Sequence, residues 1–94
     1  MKNVLVIEDE NKIARFIELE LKHEGYNVDI VSDGREGLNK ALSNDYDIIV
    51  LDVMLPSLNG MEVLRRIRAV SDVSVIMLSA KGDITDRVMG LDKK

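Results

Sequence analysis

Three apolar runs, each of strand length and each stopping at a polar group, constrain this chain more than any other feature. They are Val4-Leu5-Val6-Ile7 before Glu8-Asp9, Ile48-Ile49-Val50-Leu51 before Asp52, and Val75-Ile76-Met77-Leu78 before Ser79. A nearly continuous apolar run of this length suits a parallel strand covered on both faces. If all three lie parallel in one sheet, their carboxyl ends gather three acids and a hydroxyl at one edge. Open α/β sheets bind ligands at that edge. Clustered carboxylates repel one another, which implies a hard cation such as Mg²⁺ among them.

The segments between the runs complete an alternation of strands and helices, the pattern of a parallel sheet built by right-handed crossovers. The first strand spans about Asn3 to Glu8, and the first helix about Glu10 to Glu24. Ile13, Ile17 and Leu21 form its inward stripe with Phe16 beside it; Glu18 and Lys22 pair on the wet side, and Gly25 stops it. Tyr26 to Val31 alternates polar and apolar residues, as an edge strand does. Asp33 with Glu36 opens the second helix, whose core face is Leu38, Ala41 and Leu42.

Tyr46 to Asp52 is the third strand, and Pro56 and Gly60 punctuate the loop after it. Asn59 with Glu62 caps a third helix with Leu64, Ile67 and Val70 facing inward. Val73 to Ser79 is the fourth strand, and Asp83 caps a last helix carrying Ile84, Val88 and Leu91 at i, i+4 and i+7. The expected fold is a doubly wound α/β sheet of order 2-1-3-4. That order puts the fourth strand outermost although it reads like an interior one, so an open edge is expected there.

Composition removes several function classes. The 94 residues suffice for one small domain, and 46% hydrophobic with 32% charged is ordinary for a folded, soluble chain. No apolar run approaches membrane-spanning length, and the start resembles a strand rather than a signal peptide. With no cysteine, thiolate metal sites and disulfides are excluded, in keeping with a cytoplasmic location. A net charge of −4 and only three aromatics (Phe16, Tyr26 and Tyr46) argue against a nucleic-acid surface.

Glu8-Asp9, Asp52, the segment from Asp52 through Met54 and Pro56 to Gly60, and Ser79-Ala80-Lys81 together resemble the receiver domain of bacterial two-component response regulators. The resemblance runs over essentially all of the chain, in order and spacing, and its flavour is that of receivers fused to winged-helix DNA-binding domains. It implies a flavodoxin-like receiver fold and a phosphoacceptor role for Asp52, with a sensor histidine kinase as partner. It further implies Mg²⁺ bound by Asp9 directly, by Glu8 through water, by Asp52 and by the backbone carbonyl of Met54. Ser79 would contact a phosphoryl oxygen and report the modified state, and Ala80 would keep the pocket accessible. Such a domain is a phosphoacceptor signalling module, not an enzyme.

The pattern departs from the family after Gly90-Leu91-Asp92. Receivers continue into a fifth strand ending in a lysine and then a fifth helix, and neither is legible here, so residues 1–94 read as a single, C-terminally truncated receiver. Absence of that lysine would weaken phosphoryl stabilisation without touching Asp52 as nucleophile. An open fourth-strand edge would favour homo-oligomers by sheet pairing or segment exchange. The competing function is therefore a non-signalling, self-associating receiver fragment.

Bland readings stand beside these. Asp9 alone could be a helix cap, and Ser79 alone a turn hydroxyl; their ordered company with Glu8 and Asp52 promotes them. His23, the single histidine, sits near a helix end without a metal-site companion. Arg65, Arg66 and Arg68 read as a solvated helix face. The glycines form no dinucleotide or Walker pattern. A phosphohydrolase of the haloacid dehalogenase type would need an aspartate where Met54 stands.

Overall fold

A computed structural model describes residues 2–78 and 88–92. The elements run β1 (Asn3–Ile7), α1 (Asn11–His23), β2 (Asn27–Val31), α2 (Gly34–Ser43), β3 (Ile48–Asp52), α3 (Gly60–Arg68), β4 (Ser74–Leu78) and β5 (Val88–Asp92). The first four strands are parallel in the expected order 2-1-3-4, and the whole sheet reads β2-β1-β3-β4-β5.

The three apolar runs become β1, β3 and β4 because each can hide both of its faces. Val4 through Ile7, Ile49 through Leu51, and Val75, Met77 and Leu78 are all buried. Alternation along a strand sends them to opposite sides. One side joins Leu5, Ile7, Ile49, Leu51, Val75 and Met77 to Leu38 of α2 and to Val63 and Ile67 of α3. On the other, Val4, Val6, Val50 and Leu78 pack with Ile17 and Leu21 of α1. β2 is the half-exposed outer strand that its alternation implies.

Local signals set the helix ends. Asp33 accepts from the Glu36 N–H (3.0 Å) and Asn59 from the Glu62 N–H (3.1 Å), each capping its helix as expected. Lys22 and Glu18 pair at 2.9 Å, and Gly25 (φ 94) follows the end of α1. Two inward assignments shift. α3 turns Val63 and Ile67 into the core with Leu64 half-buried against it, whereas Val70 is exposed, because the helix has already ended at Arg68. Leu42, expected in the core face of α2, is also exposed.

The largest correction concerns Val88–Asp92. Read from periodicity as part of a last helix, this segment is a strand, antiparallel to β4, with Ile76 opposite Leu91 and an irregularity between Met77 and Leu78. The fourth strand's outer edge is therefore paired, and the open edge expected from the sequence is closed. Free N–H and C=O groups along β4 favour any extended segment that can meet them, and that long-range gain overrides a local helical period. Ile84 and the Asp83 cap lie outside the described residues. Among the described residues there is no parallel fifth strand, and no helix is long and apolar enough to cross a membrane.

Candidate functional site

Register alone brings the first two acids together. Ile7 stands opposite Leu51 in the β1–β3 ladder, so Glu8 and Asp52, the next residue in each strand, leave the sheet side by side. The Glu8 N–H still bonds the Val31 carbonyl (3.0 Å), which holds the end of β1 in place beside β2. Glu8 also accepts from the Glu10 N–H through Oε2 (2.9 Å), tightening the turn into α1. Asp52 stays in the ladder opposite Leu78, and the next N–H, of Val53, bonds the Leu78 carbonyl (3.2 Å).

Glu8 is 1% and Asp52 2% exposed, while Asp9 is exposed at the rim. One carboxylate oxygen from each of the three lies within 4.8 Å of the others. At that separation and an effective dielectric of about 20, two carboxylates repel by about 3 kcal/mol. Burial adds a desolvation cost on top. A set of all-oxygen donors with one member open to water suits a small hard cation that keeps part of its water shell. The donors present therefore fit Mg²⁺ and give no thiolate or imidazole for a softer metal.

The loop after Asp52 is closed on itself. The Gly60 N–H bonds the Val53 carbonyl (2.7 Å), and a Cβ at position 60 would lie 2.0 Å from the Asp52 carbonyl oxygen. Only glycine permits that approach, which is why the chain can leave Asp52 and enter α3 so tightly. Met54 lies in this loop with its side chain exposed, so its side chain is not a core element. Ser79 and Ala80 lie outside the described residues.

Other acids have other work. Glu62 is a half-buried first-turn residue of α3 bonded by Arg65 and by Arg66 (2.7 Å), and these hydrogen bonds hold its carboxyl down at about 2. That accounts for Arg65 and Arg66 as a solvated, paired face; Arg68, expected with them, is instead half-buried and donates to the Ser71 carbonyl (3.3 Å). Asp33 is held below its usual value mainly by the Glu36 N–H and then by the Ser57 hydroxyl. Tyr46 donates to Asp29 (2.7 Å); burial first, and this bond second, push the phenol up to about 12. The sequence offered no signal for the Ser57 contact, because it joins residues more than twenty positions apart.

Known proteins agree with this geometry. The profile for the response regulator receiver domain matches residues 4–94. Response regulator ArlR from Staphylococcus haemolyticus is 53% identical over 92 residues, covering 98% of this chain and 42% of that protein. The chain thus spans about 42% of the length of the curated relatives it matches. Response regulator TrrA from Thermotoga maritima, in complex with Mg(2+)-BeF, superimposes with a TM-score of 0.81 at 38% identity, over 87% of this chain and 72% of that one. TrrA in complex with histidine kinase ThkA superimposes with a TM-score of 0.80 at 38% identity, over 88% and 72%. By the span of the matched profile, the order of its parallel strands and the acids at their ends, this chain belongs to the response regulator receiver domain family.

Proposed function

We propose that this chain accepts a phosphoryl group on Asp52 from a histidine kinase, with Mg²⁺ held by Glu8, Asp9, Asp52 and the Met54 carbonyl. As a receiver it is a signalling module and not an enzyme. The observation that carries the reading is the convergence of three carboxylates within 4.8 Å, two of them buried, at the ends of β1 and β3. TrrA is recorded both with Mg(2+)-BeF and with a histidine kinase, which supports the same metal and partner class here.

The nucleophile is a carboxylate oxygen of Asp52. It attacks phosphorus, the P–N bond to the kinase imidazole breaks, its electron pair stays on nitrogen, and an acyl phosphate forms. Mg²⁺, when bound, neutralises charge on the phosphoryl oxygens and on the attacking carboxylate. Glu8 and Asp9 hold that charge in place, and the buried floor of β1 and β3 fixes the direction of attack. Ser79 is assigned the phosphoryl contact and Ala80 the small neighbour, on the strength of the family resemblance and their place after β4. We read residues 1–94 as one receiver domain acting in the cytoplasm, with transcriptional output left to the remainder of a longer protein.

Incubation with Mg²⁺ and acetyl phosphate tests this. Intact mass should rise by one phosphoryl group in the wild type and not in Asp52→Asn. An unmodified wild type, with no Asp52-dependent uptake of beryllium fluoride, would refute the reading.

A further inference from the structure

The first three N–H groups of a helix have no partner within it. In α2 those of Gly34, Arg35 and Glu36 are all satisfied, and only one of them by the helix's own cap, Asp33. The Gly34 N–H bonds the Pro56 carbonyl (3.1 Å), and the Arg35 N–H bonds the Ser57 hydroxyl oxygen (3.2 Å). Two of the three come from the loop that follows Asp52. That loop therefore caps α2 from across the sheet end.

Ser57 is bent to reach this position. Its φ is 67, the one positive value at a non-glycine among the described residues. A side chain disfavours that backbone because Cβ crowds the carbonyl, and it persists only where surrounding contacts dictate it. The contacts here are the Arg35 N–H on its oxygen and the Asp33 carboxylate that accepts its hydroxyl proton. Close packing supports them. A Cβ at Gly34 would fall 1.9 Å from the Leu58 carbonyl oxygen, so α2 and the loop meet backbone to backbone.

We propose that Ser57 is a positioning residue for the Asp52 site. By capping α2 from the loop it fixes the backbone path from Asp52 to Gly60, and with it the Met54 carbonyl assigned to the metal in the proposed site. The proposal rests on the Mg²⁺ reading of that site. It also makes α2 the element that senses any movement of the loop when Asp52 changes state.

Ser57→Gly separates positioning from stability, since it removes the hydroxyl while easing the backbone. Ser57→Asn returns a side-chain oxygen on a residue that tolerates positive φ. Amide hydrogen exchange and Mg²⁺ titration by calorimetry are the readouts. Ser57→Gly should speed exchange at Arg35 and weaken Mg²⁺ binding, each about fivefold, the size of one lost hydrogen bond. Its melting midpoint should hold, and Ser57→Asn should restore both readouts. Unchanged Arg35 exchange in Ser57→Gly would overturn the cap, and unchanged Mg²⁺ affinity would overturn the positioning role. A wild type that takes up no Mg²⁺ would instead bring down the site reading on which the proposal stands.

Discussion

The two ends of the sheet both carry acids, and they treat them in opposite ways. At the amino end Asp47 accepts the Asn3 N–H (2.7 Å) and returns its own N–H to the Asn3 carbonyl (2.8 Å). Asn27 closes the group by donating to the Asn3 side chain (3.1 Å). All three are exposed, so the arrangement ties strand starts together in water. At the carboxyl end Glu8 and Asp52 are buried and converge on Asp9. An acid matched to N–H donors is a fastener; acids matched to one another create a demand for a cation. Charge alone does not mark a site, but buried like charges that converge do.

Asp52→Asn should break the contrast most completely. Phosphoryl incorporation from acetyl phosphate falls to nothing by mass spectrometry. The metal-free chain melts higher, because one of three crowded charges is gone. Asp47→Asn at the other end leaves incorporation unchanged.

Gly60→Ala tests how tightly the carboxyl end is built. A Cβ 2.0 Å from the Asp52 carbonyl oxygen forces the backbone to move, at a cost of about 2–4 kcal/mol in chemical denaturation. Asp9→Asn keeps the fold and lowers Mg²⁺ affinity about tenfold by calorimetry, since the carboxylate cluster loses one of its three charges. Asp47→Ala costs about 1 kcal/mol of stability, one exposed hydrogen bond, with Mg²⁺ affinity unmoved.

The smallest effect is at Glu62, an acid near the carboxyl end that has cationic partners. Its folded pKa of about 2 lies below the ordinary carboxylate value of 4.5, so its stabilisation is present above pH 4.5 and is lost as pH falls toward 2. Solvent around its exposed arginine partners keeps that loss slight. Carboxyl NMR titration should show the low midpoint, and Glu62→Gln should flatten the acid limb of the melting curve slightly.

Much of this was legible in linear order because the signals are local. Apolar runs marked β1, β3 and β4, and Asp33 and Asn59 marked two helix starts. Where the reading failed, a distant contact had the deciding influence. Val70 looked inward by period, but α3 stops at Arg68 before reaching it. Val88 and Leu91 carry a helical spacing, but β4 offers an unpaired edge and takes the segment as a strand. The expected open edge, and with it the argument for association through β4, disappears for the same reason.

The sequence by itself determined that Glu8, Asp9 and Asp52 end buried strands, since residue type and run length are enough to specify a parallel sheet and its acidic edge. Only the tertiary structure decided how close those acids come, because strand register, not spacing in the chain, sets Glu8 beside Asp52. It alone decided that Ser57 caps α2, and that Val88–Asp92 extends along β4. Both are pairings between distant backbones, whose energy is absent until the sheet exists.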